Sequence, residues 1–135
     1  MKKISVIIIS AVLIVLLGGL SSCRRTSHNG KIDGFWRVTE VENLNTGNIS
    51  CPEDAFICVN LELMQLQAPK VFVTGIMDYD KGGSRLGVDF RSGNNQQNLA
   101  MFGIYDNPVV FSIEHLSSSH MVLKTSQSVI KCEKF

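Results

Sequence analysis

Beyond residue 33, apolar and polar residues alternate with a period of two, and no stretch carries a convincing helical period. The alternation predicts a first strand over Gly34–Glu42 and a second, the longest, over Ala55–Gln67. In the latter, Ile57, Val59, Leu61 and Leu63 form one apolar face. A third strand is expected over Lys70–Tyr79, rich in β-branched residues, and ends in the turn Asp80-Lys81-Gly82-Gly83. The fourth, Ser84–Arg91, sets Leu86, Val88 and Phe90 against Arg85, Gly87, Asp89 and Arg91. After a polar loop over Ser92–Asn98 come a fifth strand, Leu99–Tyr105, and the turn Asp106-Asn107-Pro108. Val109–Leu116, His120–Thr125 and Ser128–Phe135 complete the set, and Thr46–Asp54 reads as a loop. Short strands joined by tight turns, with no helical crossover, predict an all-β, antiparallel up-and-down barrel of eight strands. Closure would remove the unpaired edges that a meander otherwise exposes.

Strand parity assigns the interior. Trp36, Val38, Ile57, Val59, Leu61, Leu63, Leu86, Val88, Phe90, Phe102, Phe111, Ile113, Met121 and Leu123 are expected to point inward. Simple alternation also places Glu40 with Trp36 and Val38, and His115 with Phe111 and Ile113. A polar group on an inward face needs a partner. The candidate ligand site is therefore Trp36, Glu40, Phe90, Phe102, Phe111 and His115, an apolar cup with two polar handles. An interior of eight strands can equally be filled by side chains. Cys51, Cys58 and Cys132 allow at most one internal disulfide, and the pairing stays open. Parity sends Cys58 outward and Cys132 inward, which leaves Cys51, in a loop, the more adaptable partner.

The first residues have another character. Met1-Lys2-Lys3 precede an uncharged apolar run from Ile4 to Leu20, the layout of a secretory signal peptide. Leu20-Ser21-Ser22-Cys23 then resembles the lipobox of bacterial lipoproteins. That resemblance implies cleavage before Cys23, acylation of its thiol and new amino group, and a partner in the lipid bilayer. Two or three acyl chains, at ~0.8 kcal/mol per buried CH₂, anchor durably where one does not. A spanning anchor over the same run is the alternative. The expected organisation is a signal peptide at 1–22, the lipidated Cys and a polar linker at 23–30, and one barrel domain at 31–135. Arg24-Arg25-Thr26-Ser27 after the Cys favours a cell-envelope address, in the outer membrane facing the periplasm.

Gly34-Phe35-Trp36, opening the first strand just past the linker, is similar to the Gly-x-Trp motif of lipocalins and lipocalin-like bacterial lipoproteins. The closing pair, His120–Thr125 and Val129–Phe135, also looks like that group. The resemblance implies a lipocalin-like barrel with Trp36 packed across its closed base. It further implies a cation from the last strand over the indole. Lipocalins use Arg there, and this chain offers Lys131 and Lys134. The helix that flanks most lipocalin barrels has no candidate.

Composition narrows the function. The chain has 13 Lys and Arg against 12 Asp and Glu; without Lys2 and Lys3 the balance turns slightly negative. The basic residues are scattered, which argues against a nucleic-acid partner. No nucleophile elbow, zinc helix or phosphate-cradling loop is present, and neither a cofactor, a metal site nor an enzyme is expected. The expected role is binding of a small apolar or amphipathic ligand. The alternative is a protein-interaction module, an inhibitor or assembly subunit, with a filled core.

Overall fold

The computed structural model describes residues 27–135. The signal segment, Cys23, Arg24 and Arg25 lie outside the described residues.

Among the described residues, nine strands and one short α-helix are arranged in the order β1 (Gly34–Asn43), β2 (Ile49–Ser50), β3 (Phe56–Asn60), β4 (Leu63–Ala68), β5 (Val71–Asp80), β6 (Arg85–Ser92), α1 (Gln96–Met101), β7 (Val109–Leu116), β8 (His120–Lys124) and β9 (Ser128–Lys134). Every pairing is antiparallel. The sheet order is β2-β1-β3-β4-β5-β6-β7-β8-β9, and β1 also pairs with β9. That last pairing closes a barrel of eight strands. β2 is a short addition beside the far half of β1, at Val41 and Glu42.

The expected strand number holds, although two of the expected elements do not. Ala55–Gln67 is a hairpin rather than one strand. Asn60 pairs with Leu63, and Leu61-Glu62 form the turn. Ile57 and Val59 face the core; after the turn Met64 and Leu66 do, and Leu61 and Leu63 face solvent. Two alternating runs of opposite parity abut there, and the turn contains neither Gly nor Pro. In the second departure, Leu99–Tyr105 contains the end of α1 and a loop instead of a strand. Asn95 caps α1 by accepting from the backbone N of Asn98 at 2.8 Å, a signal the sequence does carry. One strand divides and another disappears, so eight remain in the wall.

The two ends differ. The base gathers the start of β1, the β3–β4, β5–β6 and β7–β8 turns, and the end of β9. A single 3-10 turn, Gly30–Ile32, crosses it with Ile32 fully buried. Asn29, expected in the linker, belongs to this base. Its side chain donates to Asp33 at 2.6 Å and to the carbonyl of Leu61 at 2.8 Å. The opposite mouth carries β2, α1 and the segment after it.

Candidate functional site

At the base, Trp36 is fully buried and its indole Nε1 donates to the carbonyl of Ile32 at 2.8 Å. The Lys134 ammonium lies 4.3 Å from the indole ring centroid. Lys134 thus occupies the position where the resemblance implies an Arg, and a compact ammonium replaces a stacking guanidinium. Its Nζ also donates to the carbonyls of Lys31 and Asp33. Burial pushes the Lys134 pKa down, opposed by the nearby Asp33 carboxylate.

Gly34 is required beside it. Its φ is +135°, and a Cβ there would stand 2.5 Å from Nζ and 2.7 Å from Cε of Lys134. Gly34→Ala is expected to displace Lys134 and destabilise the fold by ~1–3 kcal/mol in urea unfolding. Gly47, at φ +73° with nothing within 4 Å of its Cβ position, is the control for a positive-φ glycine without a close neighbour. Equal losses at both positions would mean that the ammonium is not held by this close approach.

The two polar handles do not point into the barrel. Between Val38 and Glu40 the β1–β9 register shifts, so Val41 takes the inward position and is buried. Glu40 turns outward and pairs with Lys131 at 2.9 Å. The same device recurs in β7. The register with β8 shifts between Ile113 and His115, and His115 lies exposed. Each bulge inserts one residue and reverses the facing of the residues beyond it. Simple alternation takes no account of either bulge and so puts these two side chains inside.

The four aromatic candidates are inside, where they fill the interior. Trp36, Phe102 and Phe111 have no accessible surface and Phe90 has 1 %. A cavity with room for a ligand would leave accessible surface on its lining. Val38, Ile57, Val59, Met64, Leu66, Val73, Leu86, Val88, Met121, Leu123 and Ile130 pack with them, all similarly buried. The mouth is plugged as well. Leu99 from α1, then Phe102 and Ile104, sink into it. Ser128 Oγ, itself fully buried, donates to the carbonyl of Gly103 at 2.5 Å. Gly103 has φ +75°, and a Cβ would meet Val41 at 2.7 Å. The Asn107 side chain clamps the far end, accepting from the backbone N of Phe90 and donating to its carbonyl, both at 2.9 Å.

All three described cysteines are free thiols. Cys51 is exposed, Cys58 half-buried on the outer face, and Cys132 buried within. Burial pushes the Cys132 thiol from 9.0 up to about 12. Between those values the unfolded chain gives up a thiol proton that the folded chain keeps. Folding stability therefore falls as pH rises, at up to ~1.4 kcal/mol per pH unit. Cys132→Val is expected to remove this part of the alkaline loss in urea titrations between pH 8 and pH 10.5. An unchanged pH slope would contradict the assignment.

The outer face of β1 carries an aromatic cluster that sequence reading did not single out. Phe35 stacks on Phe56 at 4.8 Å, and Phe135 meets both rings edge-on at 5.7 and 5.3 Å. The Arg37 guanidinium sits 5.8 Å from the Phe135 ring centroid. Phe135 is 73 % exposed. Phe35 and Arg37 alternate with Trp36, so parity alone marks them as outward; that Phe56 and Phe135 join them depends on which strands flank β1. Among the described residues, no group of three or more His, Cys, Asp or Glu is placed to hold a metal ion.

A closed up-and-down barrel with a buried Trp at its base and a cation over the ring defines a lipocalin-like architecture. A family profile described as a lipocalin-like domain matches residues 18–135. The chain belongs to that family. Among solved structures, it is similar to a lipocalin-like protein from Bacteroides uniformis ATCC 8492, at 16 % identity and a TM-score of 0.65, over 78 % of this chain and all of that one. It is also similar to an uncharacterized protein from Bacteroides eggerthii DSM 20697, at 15 % identity and a TM-score of 0.61, over 76 % of this chain and 98 % of that one. At these identities the likeness concerns the fold. No curated protein matches the chain.

Proposed function

We propose that this is an envelope lipoprotein, anchored through acyl chains on Cys23 and facing the periplasm from the outer membrane. Its barrel serves as a non-enzymatic protein-interaction module, an inhibitor or an assembly subunit. The observation that carries this reading is the packed interior, in which Trp36, Phe102 and Phe111 have no accessible surface. A small apolar ligand, the other reading, draws its support from family membership, since lipocalin-like barrels commonly take such molecules. Here the room is occupied by side chains and both polar handles face out. The surface offers an alternative means of recognition. Aromatic residues and Arg are enriched at protein interfaces, and Phe35, Phe56, Phe135 and Arg37 make one contiguous patch.

Native mass spectrometry of the full chain, extracted from its host in mild detergent, tests this. The expected result is one mass, explained by the polypeptide and its acyl groups, and no binding of fluorescent apolar probes. A stoichiometric extra mass that leaves on denaturation would overturn the filled-barrel reading in favour of a carrier. Crosslinking in the host is expected to capture a protein partner, and Phe35→Ser with Phe56→Ser to lose it.

A further inference from the structure

We infer that the base of the barrel docks on the bilayer that holds the tether, by pressing the β3–β4 hairpin tip into the lipid interface. This rests on the lipoprotein reading of Cys23. Leu61 at the tip is 55 % exposed, Leu63 is 41 % exposed, and Ile76, its direct partner across β4 and β5, is 47 % exposed. With His28 and Glu62 they line a shallow groove of about 450 Å³.

Leu61 is a poor choice for its own backbone. Its φ is +54°, in the left-handed region that a branched, bulky side chain rarely enters. Two-residue hairpin turns favour Asn, Asp or Gly at such positions. Leu61 is absent from the buried core and keeps 55 % of its surface exposed, so burial offsets little of the strain. Strain of this kind points to a task elsewhere, and an apolar side chain held out from a turn suits a lipid surface.

Chain length supplies the occupant. The carbonyl of Leu61 accepts from the Asn29 side chain at 2.8 Å, and Asn29 stands six residues after Cys23. Fully extended, six residues span ~20 Å. An acylated Cys23 therefore keeps the bilayer surface within that distance of the tip. A second anchor, the backbone N of Met77 donating to the carbonyl of Glu62 at 2.8 Å, holds the hairpin against β5. The tip therefore meets the membrane as a rigid wedge. Both acids and bases surround it: Glu62, Asp78 and Asp80 with Lys31 and Lys81, all exposed. Docking by apolar insertion then needs no anionic lipid and depends little on salt. A tether turns this weak contact into an intramolecular one.

The test uses the full chain extracted from its host's membranes and reconstituted in phosphatidylcholine vesicles, some with brominated acyl chains. Leu61→Trp and Ile76→Trp place reporters at the base, and Val110→Trp, exposed on β7 near the mouth, is the control. Ile76 lies in a regular strand and serves should the turn variant not fold. After subtraction of the Trp36 signal of the parent chain, the expected result is at least a threefold stronger bromolipid quenching at both base reporters than at Val110→Trp, unchanged in 0.5 M salt. Equal quenching at base and mouth overturns docking. Intact mass reports the acyl groups on Cys23 independently. An acylated protein with equal quenching removes docking and leaves the tether, whereas a protein without acyl groups removes both.

Discussion

Replacing Trp36 with alanine is expected to cost about 3–5 kcal/mol, a large share of the stability of a small domain. Three losses combine. The side chain is fully buried, so its removal leaves a void that the closed strands around it cannot collapse to fill. The carbonyl of Ile32 loses the Nε1 donor at 2.8 Å, and an unsatisfied carbonyl at a buried site adds to the penalty. Lys134, already partly desolvated, loses the ring face it rests on. The 3-10 turn that seals the base is keyed to this one side chain. Trp36→Phe keeps most of the packing and removes the hydrogen bond, with an expected loss of ~1–2 kcal/mol. The chain holds a single Trp, so fluorescence follows unfolding only while Trp36 is present. Urea unfolding of the variants is best monitored by far-UV circular dichroism. A loss under ~1 kcal/mol for Trp36→Ala would mean that the base is held by other contacts.

Phe102→Ala is the second large change, with a similar expected loss of ~3–5 kcal/mol and a gain that the first lacks. Phe102 plugs the mouth at the end of α1, fully buried and next in the chain to Gly103, whose carbonyl accepts from the buried Ser128. Removing its ring leaves an apolar void, and such voids stay dry and accept small apolar molecules. The variant is therefore expected to bind benzene-sized compounds or a fluorescent apolar probe that the parent chain refuses. Probe binding by the parent would refute the filled interior. Refusal by both, with a loss of stability below this range, would indicate that the plug collapses onto the gap. The pair of variants thus measures how far this barrel stands from an open one.

The candidate site divides along the same line as these experiments. Trp36, Phe90, Phe102 and Phe111 were legible as interior residues, because large aromatic side chains within an alternating pattern have one favourable destination. Even so, Phe102 reaches the core from a loop after a helix, and not from a strand. Glu40 and His115 depart from their expected facing through a common cause. A bulge is an extra residue relative to the neighbouring strand, so it exists only as a relation between two strands. Along β1, Val38-Thr39-Glu40-Val41 puts two polar residues between two apolar ones, a break that strict alternation passes over; against β9, the shift places Glu40 beside Lys131 in solvent. Desolvating two ionisable groups would have been costly, and each bulge avoids it at one position.

The Leu61 turn shows a similar limit. A chain choosing a turn by local preference would favour Gly or Asn at the two turn positions; Leu61-Glu62 supply neither, although Asn60 precedes them, and β3 and β4 read as one apparent strand. The turn forms because Met64 and Leu66 must face the core opposite Ile57 and Val59, a requirement that belongs to the closed barrel.

Local chemistry sufficed for the all-β architecture, the Gly34-Phe35-Trp36 start, the fourth strand and the last three. These arise from side-chain alternation and turn residues, which act over a few positions. Register, bulges, the plugged mouth, the lysine over the indole and the outer cluster of Phe35, Phe56 and Phe135 were decided only in the tertiary structure. Each brings together residues far apart in the chain, and their meeting depends on how eight strands close on one another.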